Sequence, residues 1–155
     1  MADTGRVIHV ESPVGLLEVE ERDGAIVRLG WDATRDASPS PLLEEAAAQL
    51  RAYFAGERTV FDLPLAPRGS DFHQAVFARM LAIPFGETRT YGEIAKALGT
   101  HGQPVGQACG ANPVPVIIPC HRILSANGLG GYSGRGGLDT KIALLRLEGG
   151  YPFLV

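Results

Sequence analysis

Thr90-Tyr91-Gly92-Glu93-Ile94-Ala95-Lys96-Ala97-Leu98-Gly99-Thr100-His101-Gly102-Gln103-Pro104-Val105-Gly106-Gln107-Ala108-Cys109-Gly110 decides how the second half of this chain folds. Thr90 stands three residues before Glu93, the spacing of a capping box. In that motif the threonine oxygen accepts from the third helical amide while the glutamate reaches back to the threonine amide. A short helix is therefore expected to run to Leu98 and to end at Gly99. Pro104 suits the first turn of a second helix, having no amide proton to leave unpaired, and Val105 to Cys109 continue it until Gly110. Two short helices across a tight, glycine-containing turn predict a helix-turn-helix.

Downstream of it, Val116-Ile117-Ile118 reads as a buried apolar strand that delivers Pro119-Cys120-His121-Arg122. One thiol and one imidazole are thus planted side by side. Thiolates attack carbon and thiols do not, so Cys120 needs a neighbouring base or a positive field, and His121 supplies a base by position. A carboxylate would orient that imidazole. The candidate is Glu148, which sits in the last turn of a helix expected from about Thr140, where the helix dipole disfavours it unless a partner rewards it. That helix should pack Ile142 and Leu145 inward and end at Gly149-Gly150. Arg122 is read as structural, its fork tying carbonyls or a carboxylate. The competing reading of Cys120 is a small core hydrophobe, the commoner fate of a free cysteine after an apolar strand.

Upstream, Asp71 can cap a helix on which Phe72, Val76 and Met80 share one face, and Ile83-Pro84-Phe85-Gly86 ends it. Pro64, Pro67 and Gly69 mark a boundary between two lobes, assigned to residues 1–66 and 70–155. Before that boundary come three β-favouring bursts, Val7 to Val10, Leu16 to Val19 and Ile26 to Leu29, separated by Ser12-Pro13-Val14-Gly15 and Asp23-Gly24. They predict a small antiparallel meander. Leu42, Ala46, Leu50 and Phe54 then recur at helical spacing, and Val60-Phe61-Asp62-Leu63 reads as a short extended piece. The fold class is α+β: a small N-terminal lobe of antiparallel sheet plus helix, followed by a mostly helical C-terminal lobe containing the helix-turn-helix.

Composition narrows the function classes. With 155 residues and 45% apolar content the chain can bury a core. A formal net charge of −3 excludes a global positive field, so any nucleic-acid contact must be local. The two cysteines lack Cys-x-x-Cys spacing, and neither a signal peptide nor a long apolar stretch is evident. The expectation is a monomer in a reducing, cytoplasmic compartment, with no membrane partner, no cofactor and no metal. A zinc site from Cys109, Cys120 and His121 matches no common spacing. A cysteine hydrolase is disfavoured because those enzymes place His far from Cys in sequence.

Ser12 to Gly15, Tyr53 to Gly56, Phe72 to Phe77, Ile83 to Thr88, Tyr91 to Ala95, Asn112-Pro113, Pro119 to Arg122 and Gly131-Tyr132-Ser133-Gly134 occur in the order found in one family. In these motifs the chain resembles the O6-alkylguanine-DNA alkyltransferases, self-sacrificing repair proteins that move an alkyl group from guanine onto themselves. The resemblance implies that Cys120 is the alkyl acceptor, that His121 deprotonates it through a water, and that Glu148 completes the relay. It implies that Asn112 holds the turn beneath the cysteine and that Tyr91 lies by the flipped nucleotide and its 3′ phosphate. Ser133, beside Tyr132, would donate to the guanine oxygen, and the Ile123 backbone would read the amino edge of the base. Gly102, Val105, Gly106 and Ala108 are small enough to let the second helix approach a DNA groove. The implied partner is double-stranded DNA carrying O6-alkylguanine, with O4-alkylthymine an open second substrate.

The chain departs from the pattern at Gln103, which stands where the family carries an arginine that replaces the everted base. No Lys or Arg lies between Ala97 and His121, which implies weak, shallowly salt-dependent DNA binding. The N-terminal lobe lacks the cysteines that bind zinc in some relatives. The alternative reading is a lesion-recognition module of the same family, impaired in DNA handling or in transfer.

Overall fold

Asp23 and Gly24 have φ values of 50° and 80°, the left-handed pair that a two-residue hairpin turn needs in order to follow the twist of its strands. They join β2 (Gly15–Arg22) to β3 (Ala25–Gly30), and Pro13-Val14 joins β1 (Arg6–Ser12) to β2, giving an antiparallel sheet in the order β1-β2-β3. The structure is a computed structural model that describes residues 5–132 and 134–149. It divides into two units, Met1–Arg68 and Gly69–Val155.

In the first unit α1 (Pro41–Phe54), capped by the Ser40 side chain, packs on β1 and β2. Its buried face is Leu43, Ala46, Ala47, Leu50 and Tyr53, whereas Leu42 and Phe54, expected inside, are only half-buried. Adjacent apolar pairs at 42/43 and 53/54 made two faces possible. Burial of Tyr53, its ring 5.2 Å from that of Phe61, accompanies the one adopted. The extended piece expected at residues 60–63 forms no strand. Gln49 holds it instead, accepting from the Asp62 amide and donating to the Asp62 carbonyl, before Leu65 bridges to Ile26.

The other face of β2 carries Glu18 and Glu20, both buried. Glu18 pairs with His9 and Arg28 and accepts from the Thr34 hydroxyl and the Thr34 and Arg35 amides. Burial pushes its carboxyl up, but these bonds and the Arg28 charge outweigh burial and hold it down at about 2. A depressed carboxylate stabilises the fold fully above its ordinary value of 4.5, and the contribution is lost as pH falls from there towards 2. Urea unfolding of the whole protein should therefore show a stability gap between wild type and Glu18→Gln that narrows across that window. A gap independent of pH would contradict this assignment.

In the second unit α2 (Asp71–Leu81) and α3 (Tyr91–Ala97) both pack on α4 (Gly102–Gly110). The capping box at Thr90 and Glu93 is formed in both directions. Ser70, not Asp71, caps α2, leaving Asp71 in the first turn where its charge suits the dipole. The buried face of α2 is Val76, Phe77 and Met80, with Phe72 half-buried. Two-residue strands β4 (Arg89–Thr90) and β5 (Ile123–Leu124) pair in parallel, tying the start of α3 to the segment after Cys120. The last helix, α5 (Leu138–Glu148), buries Thr140, Lys141, Leu144, Leu145 and Glu148, so Leu144 takes the inward place expected for Ile142. Among the described residues no helix is long and apolar enough to cross a membrane.

Candidate active site

Residues 116–118 are a buried turn, not the expected strand. Pro113, Pro115 and Pro119 withdraw the amides that a ladder would need, so the segment must satisfy its polar groups internally. Asn112 does this. Its Nδ2 donates to the Ile118 carbonyl at 2.9 Å and its Oδ1 accepts from the Val114 amide at 3.0 Å. Val116 is held at φ 74°, a conformation that β-branched residues avoid, which locates backbone strain in the turn four residues before Cys120.

Cys120 then opens a short 3₁₀ turn, Cys120–Arg122, that also buries His121 and Arg122. Burial pushes the Cys120 thiol up, while an Asn112 hydrogen bond and the Lys141 charge oppose that effect. The resting group is therefore a thiol that needs a base. His121 Nε2 lies 2.8 Å from Glu148 Oε2, and because a carboxylate can only accept, Nε2 carries the proton. Nδ1 keeps a lone pair and has no partner among the described residues. Burial lowers the basicity of His121 more than the Glu148 bond and charge raise it, so the ring rests neutral. A neutral, oriented imidazole with a free lone pair has the protonation state that a general base requires.

Glu148 is itself held on both oxygens. Arg122 donates from Nε to Oε1 at 2.8 Å and from Nη2 to Oε2 at 3.0 Å, while its Nη1 donates to the Ile83 carbonyl at 2.6 Å. The structural role read for Arg122 is thus specific: it neutralises the buried carboxylate that orients His121, and its own charge tempers the basicity of the ring.

Lys141 was not singled out from the sequence. Fully buried on α5, it donates from Nζ to the Ile123 carbonyl at 2.7 Å and to the Gly131 carbonyl at 3.0 Å. Burial brings its ammonium down to about 8, against the pull of Cys120 and Cys109. The signal was present as spacing, because Lys141, Leu144, Leu145 and Glu148 fall on one helical stripe.

A cavity of about 290 Å³ opens on Cys120. Tyr91 and Tyr132 give it aromatic lining, Cys109 a second thiol, and Gly106, Gly110 and Gly131 complete it. Tyr91, the first residue of α3, is fixed by the loop beyond Cys120. Gly130 has φ 70°, and a Cβ there would lie 3.0 Å from Tyr91 Cε2 and 3.3 Å from the Ser125 amide nitrogen, so only glycine lets the two pass.

The remaining sequence candidates fall in different places. Gln103 is exposed and Gly102 and Gly106 half-buried on α4, with Gln107 exposed one turn beyond Gln103. Val105 and Ala108, expected at a DNA groove, are fully buried and belong to the core, because they lie on the inward stripe of a short helix that packs on α2 and α3. Ile123 is also fully buried, its amide donating to the Cys120 carbonyl and its own carbonyl taken by Lys141. Its amide is therefore engaged, and its carbonyl already accepts from Lys141. Ser133 lies outside the described residues. Among those described, no three His, Cys, Asp or Glu side chains converge on a metal position.

Comparison with known proteins bears on this geometry. Residues 71–150 match the DNA binding domain of 6-O-methylguanine DNA methyltransferase, and residues 7–67 match its ribonuclease-like domain. The chain is 53% identical over 150 residues to a methylated-DNA–protein-cysteine methyltransferase of Methanosarcina acetivorans, covering 90% of this chain and 95% of that one. It superimposes on the O6-methylguanine methyltransferase of Mycobacterium tuberculosis with a TM-score of 0.83 at 42% identity, covering 94% and 93% of the two chains. The Mycobacterium tuberculosis protein in complex with DNA gives 0.81 at 44% identity, with 91% of each covered. The chain belongs to the 6-O-methylguanine DNA methyltransferase family.

Proposed function

We propose that this protein removes alkyl groups from the O6 atom of guanine in double-stranded DNA by transferring them, once per molecule, to Cys120. The observation that carries the reading is a buried thiol on the wall of a cavity, followed in the chain by a neutral imidazole that a paired carboxylate orients. His121 takes the thiol proton, the thiolate attacks the alkyl carbon, and the carbon–oxygen bond breaks with its electron pair going to the guanine oxygen. The product is a thioether that no thiol exchange reverses. Asn112 holds the turn that presents Cys120, and Glu148 stabilises the imidazolium. Nucleophile and base are both on the chain, so no cofactor or metal enters.

A thiol only 6% exposed cannot reach a base inside a duplex, so the nucleotide must leave the stack and enter the cavity past Tyr91 and Tyr132. Ser133 is assigned to the leaving oxygen, and the Ile123 carbonyl keeps one lone pair for the amino edge of the base. The face offered to DNA is α4, with Gly102, Gln103 and Gly106, to which exposure adds Gln107. A Cβ on Gly106 or Gly110 would meet nothing within 4 Å. Internal packing therefore does not require glycine at either position, and Gly106, inside the helix, costs it about 1 kcal/mol relative to alanine. Close approach of an outside backbone supplies the reason. On this reading the chain acts as a cytoplasmic monomer, in which residues 70–155 react with DNA and residues 1–66 form a supporting lobe.

Stoichiometry tests the function. Methyl transfer from an O6-methylguanine duplex in excess should plateau at one group per protein; continued turnover or no transfer would overturn the proposal. Charge offers a second test. α4 carries no acidic residue in its first turn and no basic residue in its last, so counterion release from it is small. Gln103→Arg should steepen the slope of log affinity against log salt by about one unit, the value for one added phosphate contact. An unchanged slope would place Gln103 away from the DNA.

A further inference from the structure

The transfer mechanism leaves Cys109 unused, yet Cys109 lines the same cavity as Cys120 and is, like it, a free thiol. α4 places it there, on the inner side of the helix that brings Gly106 and Gly110 to the cavity. Three of the lining residues are glycines, which bring no side chain into the space. We propose that Cys109 is a second nucleophile of this cavity, which captures the far end of an alkyl group that arrives on Cys120 still carrying a leaving group.

The proposal rests on Cys120 being the alkyl acceptor. In the first step the Cys120 sulfur bonds to the carbon attached to guanine O6, and that carbon–oxygen bond breaks towards oxygen. The product is a thioether whose other end keeps a carbon–halogen bond or another leaving group. In the second step the Cys109 sulfur attacks that far carbon, the leaving group departs with the bonding electrons, and the thiol proton passes to a base. No oxidant or reductant is needed.

The Lys141 ammonium favours the thiolate at both sulfurs, against burial. Burial pushes the Cys109 thiol up to about 12, so it stays a thiol at rest and does not compete for the first alkyl group. What it gains is proximity, since an electrophile tethered in the same cavity meets it at high effective concentration. The consequence for repair is specific. A reactive end left on Cys120 faces bound DNA and could couple protein to DNA, whereas an internal thioether bridge consumes that end inside the protein.

The probe is 1,3-dichloroacetone, a small reagent with two thiol-reactive carbons, added to the full-length protein, with an O6-methylguanine duplex used in parallel on separate protein. Wild type should gain one three-carbon bridge with loss of both chlorines and both thiol hydrogens, found between Cys109 and Cys120 by fragment mass spectrometry. Cys109→Ser should give only single adducts at Cys120. A wild-type Cys120 adduct that leaves Cys109 titratable after unfolding would overturn the proposal. So would a Cys120 that accepts methyl from DNA yet never becomes bridged. Bridge formation without methyl transfer from the duplex would strike the repair reading and leave the paired thiols standing.

Discussion

Cys120→Ala is expected to abolish methyl transfer from O6-methylguanine duplexes altogether while leaving the protein folded and its affinity for the lesion within a few-fold of wild type. Deleting one sulfur from a buried turn removes few contacts and should cost no more than about 1 to 2 kcal/mol. The turn itself is tied by Asn112 to Ile118 and Val114, neither of which involves the thiol. No other group is placed to take the first alkyl group. Cys109 shares the cavity, but burial holds its thiol up at about 12 and the adjacent histidine belongs to Cys120. Residual methylated base in the duplex reports the transfer, fluorescence anisotropy the binding, and circular dichroism the fold. Methyl transfer persisting in this variant, on Cys109 or elsewhere, would contradict the assignment.

Glu148→Ala should produce the largest combined loss of stability and rate. It leaves the Arg122 guanidinium buried without its carboxylate and His121 without the partner that fixes its tautomer. Breaking a buried ion pair from one side costs about 3–5 kcal/mol. Loss of positioned base catalysis costs about 10²–10⁴-fold in rate. Glu148→Gln separates the two effects, since it preserves shape and one acceptor oxygen while removing the charge that stabilises an imidazolium. Its single-turnover rate should fall by about 10²-fold or more with a smaller fall in the urea midpoint. A Glu148→Gln protein that transfers methyl at the wild-type rate would remove Glu148 from the relay and leave it a structural partner of Arg122.

The sequence was most legible where local chemistry acts alone. Thr90 and Glu93 formed their capping box, Asp23-Gly24 its hairpin turn, and the three β-favouring bursts their meander, because each depends on residues within a few positions of one another. Helix faces were harder. Leu42 against Leu43, and Ile142 against Leu144, are decided by which stripe finds a partner across the unit, and adjacent apolar residues leave the period ambiguous. The apolar run before Cys120 misled for a different reason: hydrophobicity reported its burial correctly, while its three prolines, not its composition, decided turn against strand. At the site, a last-turn glutamate that needed compensation made Glu148 a candidate partner for His121, and only the fold brings the two within 2.8 Å. The bidentate grip of Arg122 on that glutamate and the burial of Lys141 did not follow, since both join residues far apart in the chain, and a lysine on an apolar stripe reads as a surface residue until its two carbonyl acceptors are seen.

Repair by this protein stands or falls on Cys120 receiving the alkyl group. The most direct test is site-resolved mass spectrometry of wild-type protein after incubation at low salt with a duplex containing one O6-methylguanine. One methyl group per chain is expected, located on the fragment containing Cys120 and assigned to that sulfur, with the guanine in the duplex restored. An unmodified Cys120 beside a repaired duplex, or a methyl group on any other residue, would contradict it.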